Sequence, residues 1–334
     1  MTNEISATLA MGNYVHTADL MEGRVKVEGL NLTTLRLNVL DVFHRFINYQ
    51  EWEISEMSSA KYVSLLAKGD SPFTAIPVFP SRMFRHSCFY VRPDGPSHPS
   101  ELRGGRIGIP EWAQTAGVYS RGMLKDEFGV GLDEVEWIQG GVNEPGRVEK
   151  VALQLPESIR YHGVTDRSLQ DMLLDGEIDA IFTADNPTLV VAGDPRIRQI
   201  YQEPAALEKD YFARTGVYPI MHLIALRKDF VEAHPWVPMN LFNAFEAAKN
   251  AAVEEMWDTG ASMLPVPWYQ WQMREAEQLM GWDHLTGDYW PYGVEKNRTT
   301  LETFLRWCHE QGVTSRRLEV DEMFAPQMAT RVKV

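Results

Sequence analysis

Two arginines and a histidine lie inside an otherwise apolar run at residues 78–91, VFPSRMFRHSCFYV. A guanidinium fork matches a carboxylate bidentately and an imidazole titrates near neutrality, so the run reads as a place that holds an anion and moves a proton. If residues 81–90 are extended, alternation puts Arg82, Phe84, His86 and Tyr90 on one face and Met83, Arg85 and Phe89 on the other. One face then offers a cation, a titratable ring and aromatic walls, which are the parts of a pocket for an aromatic acid. The competing reading is a strand edge whose arginines pair with the plentiful carboxylates of the surface.

Other residues join this set through the elements that must position them. Short β-like runs alternate with helical ones, which predicts an α/β protein with mainly parallel sheets. Strands are expected at residues 5–10, 32–38, 52–55, 73–91, 106–109, 135–139 and 179–183, with a returning strand within 216–226. Helices are expected at 17–22, 41–49, 59–68, 115–128 and 167–174, then at 237–258, 268–280 and 299–311. In such sheets ligands sit beyond the carboxyl ends of the strands. Those loops carry Tyr14 and His16, then Glu56 and Ser58, then Arg82, Arg85 and His86, then Glu111, Trp112 and Thr115, then Arg147, and last Asn186.

Each has a plainer alternative. His86 and His222 are the first candidates for proton transfer, yet a strand histidine such as His222 is often a satisfied core group. His16 could bind ring hydroxyls or be loop surface. Glu111 precedes a helix, where it either caps amides or accepts a phenolic proton, and Thr115 with the free amides there could hold a carboxylate. Arg85 either helps Arg82 clamp the anion or makes a structural pair. Tyr14, Phe84, Trp112 and Tyr218 could stack on a substrate ring or simply pack. Trp290 to Gly293 either line the cleft or fix the last helix. His44, His234 and His309 read as structural and His98 and His162 as surface, while His284 near Asp283 and Asp288 is only a weak metal signal.

Composition narrows the classes. A chain of 334 residues exceeds what one core usually supports, so two domains are expected, with a ligand cleft between them. A formal net charge of -14 repels polyanions and argues against nucleic acid or an anionic membrane as partner. Cys88 and Cys308 are far apart and lack metal-ligand spacing. No signal-like N-terminus or long apolar run is evident, so a soluble cytoplasmic protein is expected.

Six segments carry a resemblance: VFPSRMFRHS, RIGIPEWAQTAGVYSRGML, WIQGGVNEPGRVEK, DGEIDAIFTADNP, YFARTGVYPIMH and WPYGVEKNRTTLETFLRW. Together the chain resembles the 4,5-dihydroxyphthalate decarboxylase family. The resemblance implies a two-lobed type II periplasmic-binding-protein-like fold, with lobe 1 formed by residues 1–92 and 218–334 and lobe 2 by 93–217. It implies a carboxy-lyase that converts 4,5-dihydroxyphthalate to 3,4-dihydroxybenzoate by ring protonation and then CO2 loss. The catalytic set would be His86, His222, Glu111 and His16. The substrate set would be Arg82, Arg85, Thr115, Tyr14, Phe84, Glu56, Ser58, Arg147, Asn186 and Tyr218. No organic cofactor is implied, although His16, His86, Glu111 and His222 could recruit a divalent ion. The partner would be a small aromatic carboxylate, with self-association left open. A solute-binding protein for an aromatic acid is the alternative, since it needs only the clamp and the walls.

Overall fold

The computed structural model describes residues 4–151, 153–258, 260–280 and 288–328. The first half of the chain forms β1 (Ile5–Met11), α1 (Ala18–Met21), β2 (Leu30–Arg36), α2 (Val39–Tyr49), β3 (Ile54–Ser58), α3 (Ser59–Ala67), β4 (Phe73–Arg82), β5 (Phe89–Val91), β6 (Arg106–Ile109), α4 (Thr115–Asp126) and β7 (Glu136–Gln139). It continues through β8 (Arg160–Gly163), α5 (Leu169–Leu174), β9 (Ala180–Phe182), α6 (Thr188–Val191), β10 (Arg198–Gln199), α7 (Pro204–Thr215) and β11 (Ile220–Arg227). The helical remainder is α8 (Lys228–Ala233), α9 (Val237–Trp257), α10 (Tyr269–Met280) and α11 (Arg298–Glu310). Among the described residues no helix is long and apolar enough to cross a membrane.

Two sheets flanked by helices give two lobes. The first runs β2-β1-β3-β11-β4 and the second β10-β5-β9-β6-β7-β8. In the first sheet β1 is parallel to β2 and β3, while β11 runs antiparallel to both β3 and β4. The ends of β1, β3 and β4 therefore share an edge with the start of β11. That topology sets His222 opposite Ser58 on one side and Ser81 on the other.

Two expectations need correction. The run 73–91 is not one strand: β4 ends at Arg82, a single 3-10 turn spans His86–Cys88, and β5 belongs to the other sheet. Arg82, Phe84 and His86 therefore do not share a strand face. The apolar residues on either side are buried in different sheets, and the chain crosses between them here with Met83 half exposed. The third strand begins later than 52–55, so Glu56 and Ser58 lie within β3, all five of whose residues are buried.

The C-terminal segment ties the lobes together. Helix α9 packs on α1 and β4, and α11 packs on α4, where a side chain at Gly122 would collide with the Trp307 ring. The chain then returns to the first lobe, where the Tyr62 hydroxyl donates to the Met323 carbonyl and Ala325 N–H to Ala75 O.

Candidate active site

Glu56 is the centre of the edge formed by β1, β3 and β11. It is fully buried. Its Oε2 accepts the Gly12 amide at 2.7 Å, and its Oε1 accepts the Tyr14 hydroxyl and contacts His222 Nδ1, both at 2.6 Å. Gly12 is needed for this approach, since a Cβ there would lie 2.9 Å from Val39 and 3.3 Å from Glu56 Oε2. Burial raises the Glu56 carboxyl, but the hydrogen bond and charge of His222, with Tyr14 and Gly12, outweigh it and hold the group below the ordinary carboxylate range. The Tyr14 phenol is pushed up by burial and by the Glu56 charge, so it stays protonated.

A carboxylate on Nδ1 orients the His222 ring. Phe43 packs edge-on against the ring, with centroids 4.9 Å apart. Among the described residues His222 Nε2 has no hydrogen-bond partner, and the side chain keeps 18% of its surface exposed. The pair is thus built to present Nε2 outward. His16 sits beside it, between Tyr14 and Trp290, and burial, with the nearby Lys249 charge, pushes its ring down to about 4.

The facing lobe supplies a second group. Helices α3 and α4 start against each other: the Ser58 and Thr115 hydroxyls are 2.9 Å apart, and Thr115 Oγ1 also accepts the Ala60 amide. Ser59, at the first turn of α3, has a buried hydroxyl with no partner among the described residues. Nearby, Glu111 receives Lys61 at 2.9 Å, Arg147 at 2.8 Å and Lys150 at 3.4 Å. Glu149 takes the Trp112 and Ala113 amides and a second contact from Lys61. Burial raises the Glu111 carboxyl, and the cations, Lys61 foremost, more than offset it.

The other expected residues lie as follows. Arg82 is buried and its fork is spent on neutral acceptors, the carbonyls of Tyr218 and Pro291 and the Asn297 side chain. Burial draws it down to about 10. Arg85, by contrast, has only the sulfurs of Met83, Cys88 and Met221 as hydrogen-bond acceptors among the described residues. Phe84 stacks on Tyr218 at 5.1 Å, and Tyr218 meets Trp290 edge-on. His86 is buried against Tyr211, pushed down to about 4 by burial, and shares no hydrogen bond or ring contact with the Glu56 group. Arg147 bridges Glu111 and approaches Asp185, and Asn186 accepts the Tyr90 hydroxyl.

The structure thus joins Tyr14, His16, Glu56 and His222, and separately Ser58 with Thr115 and Glu111 with Arg147. Among the described residues no three of His, Cys, Asp and Glu gather as a metal-ligand set, so His16, His86, Glu111 and His222 do not form one. His284 and Asp283 lie outside the described residues. Sequence reasoning missed Lys61, Glu149, Lys150, Phe43 and Ser81. Of these only Ser81, next to Arg82 in the opening motif, carried a local signal.

No protein-family model matches the chain. It is 35% identical over 334 residues to 4,5-dihydroxyphthalate decarboxylase of Comamonas testosteroni, covering 99% of this chain and 100% of that one. The Pseudomonas putida protein of the same name is 34% identical over 212 residues, 63% of this chain and 82% of that one. Among solved structures the fold is similar to the periplasmic sulfonate-binding protein SsuA of Methylobacillus flagellatus KT, with TM-score 0.56, 14% identity and 98% and 94% of the two chains covered. The periplasmic aliphatic sulphonate binding protein SsuA of Escherichia coli gives TM-score 0.53 at 9% identity, over 96% and 92%.

Proposed function

This chain belongs to the 4,5-dihydroxyphthalate decarboxylase family, and on that footing we propose that it releases one carboxylate of 4,5-dihydroxyphthalate as CO2, leaving 3,4-dihydroxybenzoate. Direct loss of CO2 would leave an aryl carbanion, so the ring carbon that bears the carboxylate must be protonated first. His222 is the proton donor in this reading. Glu56 holds Nδ1 and orients the ring, so that in the protonated donor Nε2–H is delivered to the ring carbon, and the C–C bond then breaks as aromaticity returns. A positioned acid of this kind contributes about 10²- to 10⁴-fold. The observation that carries the proposal is the buried Glu56–His222 contact at 2.6 Å.

The carboxylates need donors. Arg85, with sulfur acceptors that are weak, keeps its fork available for one of them. The starts of α3 and α4, with Ser58, Ser59 and Thr115, offer amides and hydroxyls for the other, and Arg147 adds positive charge on the same side. Phe84 and Trp290 form the aromatic wall. Arg82 is a brace rather than a clamp, and His86 supports the crossing between the sheets. Buried free thiols at Cys88 and Cys308 fit a reducing cytoplasm.

The test is CO2 release from 4,5-dihydroxyphthalate by purified protein, with and without chelator, beside calorimetry of the same compound. Turnover that His222→Gln abolishes supports the assignment, and loss on chelation would add a metal. Tight binding without turnover would move the chain to the second reading, an aromatic-acid binding protein, a role that the fold also accommodates.

A further inference from the structure

His16 lies on the turn after β1, and its ring is flanked by Tyr14 at 5.6 Å and Trp290 at 5.1 Å. Its Nε2 is shielded from solvent and has no hydrogen-bond partner among the described residues. Such an atom costs its full desolvation penalty until a donor fills it. Beside it α9 packs on the turn at Val15–Thr17. From α9 comes Lys249, 1% exposed, with its ammonium 2.6 Å from Asp288 Oδ1 and over the Tyr292 ring. The other Asp288 oxygen holds Lys296. Asp288 and Trp290 share one segment, so a single stretch of chain fixes both the ammonium and the wall against His16.

The charged groups that face His16 divide. Burial and the charges of Lys249 and Arg82 oppose a proton on the ring, while the Pro80 carbonyl and Glu56 favour one. Lys249 is the strongest of the charges. The ring that results is a hydrogen-bond acceptor packed on Tyr14, whose hydroxyl in turn reaches Glu56 and His222 Nδ1.

We propose that His16 Nε2 accepts the proton of the substrate's ring hydroxyl, and that Lys249, fixed by Asp288, is the positioning residue that keeps His16 an acceptor. The chemistry rests on the decarboxylase reading. The phenolic O–H bond breaks as Nε2 takes the proton, and the oxygen pair becomes a C=O bond para to the carboxylate. The displaced ring electrons take a proton from His222 at the carbon bearing that carboxylate. The bond to CO2 then breaks, its electron pair restores the ring and regenerates the phenolate oxygen, and His16 returns the proton to it. His222 is reprotonated from water, so no oxidant or reductant is needed.

Two measurements test this independently of turnover. In the unliganded protein, NMR titration of the His16 ring in Lys249→Met should show proton affinity raised at least about tenfold over wild type, and Lys249→Arg should restore it. An unmoved titration in folded Lys249→Met overturns the role of Lys249. Calorimetry then compares 4,5-dihydroxyphthalate with phthalate, which lacks the hydroxyls. Wild type should prefer the hydroxylated dianion by about tenfold, and His16→Ala, which leaves the Asp288 pair intact, should erase that preference. A preference that survives His16→Ala overturns the acceptor role even if Lys249→Met does not fold. In turnover, His16→Ala should lower kcat by about 10²-fold with a smaller change in KM. The acid limb of kcat should also move to higher pH in Lys249→Met and be indifferent to Lys249 once His16 is gone. Failure of wild type to release CO2 would sink the decarboxylase reading alone, because the titration and the calorimetry still decide the fate of His16.

Discussion

Glu56 and Glu111 are both buried carboxylates held below the ordinary range, one at the cleft edge of each sheet, yet their partners differ in kind. Glu56 meets a phenol, an amide and an imidazole. Glu111 meets only cations, two lysines and an arginine. Similar burial therefore sets one carboxylate against an imidazole, the contact on which the proposed proton transfer rests, and the other within a lattice of cations. Lys61 reaches both Glu111 and Glu149 from a first-lobe helix, so that lattice also joins the lobes.

The sharpest break of the comparison is Glu56→Gln. The amide keeps the shape and one acceptor but loses the carboxylate that holds His222 Nδ1. Turnover should fall by about 10²- to 10⁴-fold while calorimetric affinity for the substrate is largely kept. Glu111→Gln should do the reverse. It leaves cations facing an amide, and since Lys61 retains Glu149 and Arg147 retains Asp185, the expected loss is near the lower end for a broken buried pair, about 3 kcal/mol by urea unfolding. Its turnover per folded molecule should change less than about tenfold. Equal kinetic damage from the two variants would erase the distinction.

Acid sharpens it further. Both carboxyls have folded values below their unfolded value of about 4.3. As pH falls, the unfolded chain takes up these protons first. Stability from each is complete above about 4.3 and is lost as pH drops through the folded values. Glu111→Gln should therefore flatten the acid limb of unfolding free energy by up to about 1.4 kcal/mol per pH unit in that window. An unchanged slope would mean that Glu111 titrates alike in both states.

Much of this was visible in residue types and little in their pairing. The α/β alternation and most element positions follow from period and turn chemistry, and His222, Tyr14 and Glu56 all read as candidate site residues. Glu56 and His222, however, are 166 positions apart, and only the antiparallel return of β11 makes them neighbours. Lys61 lies on a helix of small and apolar residues with nothing local to set it apart from the other cations. The run 78–91 misled because burial in two successive sheets leaves the same apolar signature as burial in one. Edge strand β8, Arg160–Gly163, is largely exposed and polar, so it carries no alternation to detect. The two arginines of the opening motif show the limit most directly. Both are cations of equal promise in sequence, and their acceptors come from distant segments.

That pair gives the smallest and most discriminating prediction. Arg82 spends its fork on the Tyr218 carbonyl and on Pro291 and Asn297, tying the 291–297 segment to β4, so Arg82→Lys should lower stability by about 1–3 kcal/mol with little effect on KM. Arg85 has soft sulfur acceptors that a lysine forfeits cheaply, so Arg85→Lys should unfold much as wild type does. Its cost should appear in binding, because an ammonium cannot reproduce a two-point grip on a carboxylate, and KM should rise by about tenfold. Thermal unfolding and steady-state kinetics on both variants separate the roles. A raised KM in Arg82→Lys with a normal unfolding temperature would return Arg82 to the substrate and make Arg85 the brace.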